Sequence, residues 1–127
     1  MIAEAGGGRA ATGRRGEDAA LRRYTRAGYV VVARNWRCGL GEIDLVLARG
    51  RTLVICEVKA RRGGGFGGPF EAVDRRKRAK LRALAEAFLA AESGAPGVSG
   101  VTDVRFDVAS VTFADDGPRV HVFEDAF

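Results

Sequence analysis

The chain has 127 residues, of which 46% are hydrophobic and 8% aromatic, enough for one domain with a core of its own. Its 21 basic and 16 acidic residues give a formal net charge of +5. The sequence contains no run of about 18 apolar residues, and it starts with Gly, Ala and Arg, so neither a membrane span nor a secretory signal is indicated. We therefore expect a cytoplasmic protein.

The charge is distributed unevenly along the chain. Residues 1–82 hold 19 Lys or Arg and 8 Asp or Glu, a balance of +11, whereas residues 83–127 hold 2 and 8, a balance of −6. A basic segment of this kind attracts polyphosphates through counterion release. Solvated helix faces explain the same charge without a ligand, so composition alone leaves nucleic-acid binding open.

The predicted elements begin after a flexible leader, residues 1–11, which contains three consecutive glycines. A helix is predicted over 12–27, because its apolar residues share one stripe and Gly28 follows as a cap. Three strands are then predicted over 29–34, 42–48 and 53–60, separated by a turn over 35–41 and a hairpin loop over 49–52. The glycine-rich segment 61–69 predicts a mobile loop.

The second half of the sequence predicts one more helix and two more strands. The helix covers 70–92, and the strands cover 104–113 and 120–123 with a turn over 115–118 between them. The order α-β-β-β-α-β with a tail strand predicts an α/β fold, in which a mixed central sheet is flanked by helices. Residues 12–127 would form this single domain.

Three charged residues interrupt the predicted second and third strands: Asp44, Glu57 and Lys59. Such residues are depleted from strands, so they must face water, a partner charge or a metal. Alternation places Glu57 and Lys59 on one face. If residue 48 pairs with residue 53 across the hairpin, Asp44 falls opposite Glu57, whereas a shift of one residue would move it to the other face.

Two facing carboxylates repel each other unless positive charge lies between them, so each would hold a proton more tightly or bind a cation. Oxygen ligands of this kind suit Mg²⁺ or Mn²⁺ better than zinc. A salt-bridged strand whose charges prevent aggregation is the structural alternative. We favour a functional site, because the charges interrupt apolar strands beside a glycine-rich loop.

Each predicted helix also carries one charged residue on its apolar stripe. Glu17 shares a face with Tyr24, and Lys77 shares a face with Leu81 and Leu84. Both charged side chains are therefore expected to point toward the sheet. A long side chain at the edge of the core, or half of a salt bridge, is the alternative explanation.

The ordered motifs of the chain resemble the YraN family of small bacterial proteins over nearly its whole length after the leader. These motifs are Gly13-Arg14-Arg15-Gly16-Glu17, Gly28-Tyr29, Arg34-Asn35-Trp36-Arg37, Gly41-Glu42-Ile43-Asp44-Leu45, Glu57-Val58-Lys59-Ala60-Arg61, the helix with Lys77, and Arg105-Phe106-Asp107-Val108. That family resembles the restriction-endonuclease-like superfamily, which includes archaeal Holliday junction resolvases. The superfamily core runs α-β-β-β-α-β, with Asp on the second strand and Glu-x-Lys on the third.

The resemblance implies a role for each matching residue. Asp44, Glu57 and the carbonyl of Val58 would bind Mg²⁺ or Mn²⁺. Lys59 would orient or activate water and stabilise charge. The first and second helices would add an accessory acid and a basic residue, respectively Glu17 and Lys77.

The activity implied by the resemblance is metal-dependent hydrolysis of phosphodiester bonds in DNA, including branched or damaged forms. One alternative is a nucleic-acid-binding protein that keeps the nuclease fold without cleaving. Another is an interaction module that docks a protein partner through its acidic end. Many junction-cutting relatives are dimers, so a homodimer stands beside a monomer as an open alternative.

Two further pairs of residues are expected to be structural. Arg105 and Asp107 share a face of the fourth strand and match the family pattern, and we interpret them as an ion pair that locks strand to helix. Cys38 and Cys56 lack C-x-x-C spacing and are expected to be reduced. Cys56 alternates with Glu57 and should be buried on the opposite face.

Overall fold

A computed structural model describes residues 9–62 and 75–126, with side chains from position 13 onward. The helices and strands are α1 (Arg9–Arg26), β1 (Val30–Cys38), β2 (Gly41–Arg49), β3 (Thr52–Arg62), α2 (Arg75–Ala91), β4 (Asp103–Ala114) and β5 (Gly117–Phe123). This order confirms the predicted fold class, an α/β fold with a restriction-endonuclease-like α-β-β-β-α-β core.

The strands form one mixed sheet in the order β1-β2-β3-β4-β5. The first three strands make an antiparallel meander, β3 and β4 run parallel, and β5 returns antiparallel to β4. A parallel pair requires a crossover connection, and α2 lies in that connection. The crossover carries α2 onto the face of the sheet that holds the charged residues of β2 and β3.

Each face of the sheet is covered by one helix. Under α2, the buried residues include Leu81, Leu84 and Phe88 with Val46, Leu53 and Ile55 of the sheet. Under α1, they include Ala20 and Tyr24 with Leu45, Val54 and Cys56. The alternation of residues along β3 thus sends neighbouring side chains to different cores, and Cys56 is buried as predicted.

The end of α1 is fixed by Gly28, whose φ of 92° places it in the left-handed region. The Gly28 N–H donates to the Thr25 carbonyl at 3.1 Å, and the Tyr29 N–H donates to the Tyr24 carbonyl at 3.1 Å. This pair of bonds is a Schellman cap. The predicted C-terminal cap is therefore confirmed, although α1 begins at Arg9 rather than at position 12.

The first strand is longer than predicted, because residues 35–38 continue it where a turn was expected. Cys38 pairs with Gly41, so the turn contains only the two residues between them. Trp36 packs edge to face on Phe88 of α2, with ring centroids 5.2 Å apart. This contact with a distant helix holds a polar stretch in the sheet that its composition alone would assign to a turn.

Arg105 and Asp107 form the predicted ion pair. Two nitrogens of Arg105 contact the two oxygens of Asp107, each at 2.9 Å, and Asp107 is fully buried. The Tyr24 hydroxyl donates to Asp107 at 2.7 Å, which ties α1 to β4. The Asp125 N–H donates to the same carboxylate at 3.0 Å. These bonds satisfy a charge that burial would otherwise make costly.

Several predictions fall on residues outside the described ranges. The leader is described only from Arg9, where α1 begins, and the loop over 61–69 only at Arg61 and Arg62, which end β3. The described part of the second helix starts at Arg75 and ends at Ala91, one residue before its predicted end. Within the described residues, no helix combines the length and apolar character needed to cross a membrane.

Candidate functional site

The candidate site begins where the ladder between β2 and β3 ends. Ala48 pairs with Leu53, as predicted from the length of the hairpin loop. The pairing continues along the two strands as far as Leu45 and Cys56. The next step in this register brings Asp44 beside Glu57. The Val58 N–H donates to Oδ2 of Asp44 at 2.8 Å, so this carboxylate is anchored on the neighbouring strand.

Glu57 holds two lysines on one carboxylate oxygen. Its Oε2 atom lies 3.2 Å from Nζ of Lys59 and 2.5 Å from Nζ of Lys77. The Glu57 side chain is only 12% exposed, whereas those of the lysines are 25% and 32% exposed. Lys77 therefore points toward the sheet, as its position on the apolar stripe of the helix predicted.

A cavity of about 280 Å³ separates α2 from this part of the sheet. It is lined by Glu42, Asp44, Glu57, Lys77, Lys80, Leu81 and Leu84. We call it the acidic cleft. Leu81 and Leu84 of α2 are its apolar lining, and its charged residues converge from β2, β3 and α2, an arrangement common in binding sites.

Sequence reasoning missed two residues of the acidic cleft, Glu42 and Lys80. Lys80 follows Lys77 by three positions, which places both on neighbouring parts of one helix face. Gly41 makes room for it, because a Cβ at this position would lie 2.9 Å from Cε of Lys80. The helical spacing was the available signal for Lys80, whereas Glu42 carries none beyond its proximity to Asp44.

Burial and the charge of Glu57 raise the pKa of Asp44 to about 7, and the Val58 N–H only partly offsets this. Burial also lowers the pKa of Lys59, an effect that its hydrogen bond with Lys77 reinforces. Burial also acts to lower the pKa of Lys77. Its hydrogen bond to Glu57 and the charge of that residue act the other way, so the pKa of Lys77 is raised overall. Asp44 in the cleft and Lys59 beside it are thus both shifted toward their neutral forms.

Glu17 points inward from α1, as predicted, but its direct contacts are with β1. Asn35 donates to its Oε2 at 3.1 Å, and Arg34 lies 3.6 Å from its Oε1. Within the described ranges, that Oε1 is buried without a hydrogen-bond donor. The negative charge of Glu17 contributes to the raised pKa of Asp44, so it acts on the cleft through the electric field.

The residues of the acidic cleft fit a hard divalent cation. Asp44 and Glu57 supply carboxylate oxygens, and a cation would favour the charged form of Asp44, which burial and the charge of Glu57 disfavour. In the part of the chain that the structure describes, no three Asp, Glu, His or Cys residues form a ligand group. Mg²⁺ commonly uses one or two carboxylates and completes its shell with water and substrate phosphate, so two carboxylates suffice. Val58 contacts Asp44 through its backbone N–H. The resemblance assigns the backbone carbonyl of the same residue as a metal ligand.

Comparison with known proteins places the chain in one family. Residues 16–111 match the family model described as "Uncharacterised protein family UPF0102". The UPF0102 protein of Acidothermus cellulolyticus is 46% identical over 125 residues, covering 94% of this chain and 95% of the relative. That of Streptomyces coelicolor is 48% identical over 126 residues, covering 94% of each. That of Streptomyces griseus subsp. griseus is 51% identical over 112 residues, covering 88% and 91%. The chain therefore belongs to the UPF0102 family, the YraN family whose motifs it carries.

Proposed function

We propose that this protein is a metal-dependent nuclease that hydrolyses phosphodiester bonds in DNA, including the branched or damaged forms suggested by its resemblance to resolvases. The observation that carries the proposal is the convergence of Asp44, Glu57 and Lys77 in the acidic cleft, with Lys59 beside it in contact with Glu57. Two carboxylates with two amines on one of them match the needs of phosphoryl chemistry, which are a cation site and positive charge for the transition state.

Asp44 and Glu57 are the residues that would hold Mg²⁺ or Mn²⁺, with the Val58 carbonyl as a further oxygen donor. The bound ion supplies a more acidic water and positive charge beside the phosphate. In the structure, Lys77 contacts the Glu57 oxygen that would be needed to bind the metal. We therefore propose that Lys77 moves from Glu57 to the substrate phosphate when the site is loaded.

Lys59 is the proposed residue for handling the attacking water. Its lowered pKa increases the fraction in the neutral form, which accepts a proton. Its Nζ atom stays within 3.2 Å of Glu57, so it is held at the carboxylate pair. Glu17 would act on the cleft through its charge alone, because its described contacts are with β1.

The backbone of DNA would be held by the basic faces of the helices. On α2, Arg75, Arg76 and Arg78 are exposed close to Lys77 in the chain. Contacts from such residues to phosphates position a duplex without reading its sequence. We propose that they hold DNA at the mouth of the acidic cleft.

A nucleic-acid-binding protein without cleavage is the second candidate, and a specific contact favours it. Lys59 and Lys77 already place two positive charges on Glu57. Such a cluster is electrostatically satisfied on its own and does not require a metal. The basic helices would then bind DNA while the cleft stabilises the fold.

The deciding experiment incubates the protein with linear, nicked and four-way-junction DNA in Mg²⁺ or Mn²⁺, beside Glu57→Ala, Lys59→Ala and Glu57→Gln. We expect cleavage by the parent protein and its loss in all three variants. The matched control is Asp116→Asn, which removes an exposed carboxylate in a turn between β4 and β5 and should cleave normally.

Each outcome separates the candidates. Cleavage that persists in the Glu57 and Lys59 variants would contradict the assigned roles. Salt-sensitive DNA binding without cleavage under either metal would favour the second candidate, because phosphate contacts weaken with salt. Absence of binding at low salt would contradict both and favour the protein-interaction module.

A further inference from the structure

A second concave surface lies along α1, away from the acidic cleft. Two adjoining depressions of about 540 and 260 Å³ share Arg15 and Phe113 in their walls. Arg62 lines the first and Arg22 lines the second. We call this surface the arginine groove, defined by Arg15, Arg22, Arg62 and Phe113. It is formed by α1 with the ends of β3 and β4, whereas the acidic cleft is formed by α2 with β2 and β3.

The topology brings these four residues together from distant parts of the chain. Arg62 and Phe113 are partners in the parallel ladder between β3 and β4. Arg15 and Arg22 are seven positions apart in α1, so they lie on the same helix face. The guanidinium carbon of Arg15 lies 4.7 Å from the centroid of the Phe113 ring, which is a cation–π stack.

The charge of the arginine groove is positive. Two carboxylates also line it, those of Asp18 and Asp115. Asp18 is paired with Arg34 at 2.9 Å, so its charge is already compensated. Among the described residues, no carboxylate forms a salt bridge with the side chain of Arg22 or Arg62. Asp115 is then one carboxylate against the three guanidinium groups of Arg15, Arg22 and Arg62, so the groove presents a net positive charge to an anion.

We propose that the arginine groove binds a single-stranded segment of DNA, with a nucleobase stacked on the Arg15 and Phe113 pair. The adjoining phosphates lie against Arg22 and Arg62. A flat guanidinium on an aromatic ring offers a stacking platform for any base, and flanking arginines follow the backbone. Paired bases are stacked within a duplex and cannot reach such a platform, which is why the groove selects an unpaired strand.

This inference relies on the proposed function in one respect, that DNA is the natural ligand. It adds that the DNA has an unpaired region, as a branch point or a damaged site does. Because the groove and the acidic cleft are built from different elements, binding and cleavage can be tested separately.

The test measures fluorescence anisotropy of a labelled oligothymidylate with the full chain, in EDTA so that only binding is observed. Phe113→Leu keeps an apolar side chain and should weaken binding about tenfold through loss of stacking. Arg15→Lys keeps the charge but removes the planar group, and should also weaken binding. Arg22→Gln should lower the slope of log affinity against log salt by about 0.7, the value for one phosphate contact on a single strand.

The matched control is Arg51→Gln, the same charge change in the exposed turn between β2 and β3, and it should leave the affinity unchanged. A duplex probe of the same length should be insensitive to Phe113→Leu. Thermal unfolding verifies that Phe113→Leu is folded, and Arg15→Lys tests the stack without altering an apolar side chain.

Three results would overturn the inference. The first is unchanged oligothymidylate affinity in both Arg15→Lys and folded Phe113→Leu. The second is an equal loss in Arg51→Gln, which would indicate attraction by overall charge. The third is polyglutamate binding with the same dependence on both residues, which would indicate an acidic polypeptide ligand. These binding results do not depend on whether the acidic cleft cleaves DNA, because they are measured in EDTA.

Discussion

The Nζ atom of Lys77 lies 2.5 Å from Oε2 of Glu57 and joins α2 to the carboxylate that would bind a metal. One oxygen cannot serve the lysine and a divalent cation equally well. The contact therefore sets up a competition between an internal positive charge and an external one.

Removal of the Lys77 amine should separate metal binding from catalysis. Lys77→Met is expected to tighten Mn²⁺ binding a few-fold, because an ion pair that is still partly exposed contributes up to ~1 kcal/mol. The same variant should lose DNA cleavage, since the transition state loses a positive charge. Isothermal titration calorimetry with Mn²⁺ measures the affinity, and Arg78→Met is the control on the same helix. Weaker metal binding in Lys77→Met would contradict the competition.

Asp44→Asn should stabilise the protein at alkaline pH. The pKa of Asp44 is raised from 3.8 to about 7, so the folded state keeps a proton that the unfolded state releases. Stability therefore falls as pH rises from about 4 to 7, and the loss, up to ~4 kcal/mol, is complete above that range. The asparagine keeps an oxygen acceptor for Val58 but does not ionise.

Urea unfolding of Asp44→Asn and the parent at pH 5 and pH 8, both in EDTA, checks this expectation. The variant should have the higher free energy of unfolding at pH 8 and a smaller difference between the two pH values. The control is Asp116→Asn, which removes an exposed carboxylate. Its free energy of unfolding should change with pH as that of the parent does. A variant that is less stable than the parent at pH 8 would show that the charged form of Asp44 stabilises the fold.

Asp107→Asn should destabilise the fold strongly. Asp107 is fully buried and contacts Arg105, Tyr24 and the Asp125 amide. Neutralising it leaves the guanidinium of Arg105 with only the exposed carboxylate of Glu124 at 3.7 Å, and loss of a buried counter-charge typically costs about 3–5 kcal/mol. The exposed pair of Asp116 and Arg119 provides the comparison, where Asp116→Asn should cost less than ~1 kcal/mol. Chemical denaturation measures both, and similar losses would contradict the assignment.

Two glycines of α1 should respond in opposite ways to alanine. A Cβ at Gly16 would lie 2.6 Å from Cβ of Ala60, whereas one at Gly13 would meet nothing within 4 Å. Gly16→Ala should therefore destabilise by about 1–3 kcal/mol through overpacking. Gly13→Ala should stabilise by ~0.5–1 kcal/mol, the difference in helix propensity. The double variant Gly16→Ala, Ala60→Gly should recover part of the loss in thermal unfolding, and its failure to do so would place the clash elsewhere.

The charged core of the site was accessible to sequence reasoning because it depends on local rules. Period-two alternation fixes which side chains share a face of β3, and a short hairpin fixes the register with β2. Together they place Asp44 beside Glu57. Helical periodicity likewise directs Lys77 toward the sheet, where it contacts Glu57.

The features that escaped prediction depend on contacts between distant segments. The extension of β1 through Trp36 rests on packing against Phe88 of α2. The partners of Glu17 come from β1, and Lys80 packs over Gly41, where a Cβ would lie 2.9 Å from its Cε. Apart from the helical spacing between Lys77 and Lys80, these contacts have no periodicity of their own, so they become visible only when the helices are docked on the sheet.

The parallel pairing of β3 with β4 has a consequence for the order in which the molecule forms. The β1-β2-β3 meander is made of contacts between chain neighbours and can close early, whereas the β3–β4 pair must wait for the whole crossover. Asp44 and Glu57 belong to the early part, and Lys77 belongs to the crossover. We therefore expect the two carboxylates to meet with only Lys59 beside them, and docking of α2 to add the second positive charge on Glu57.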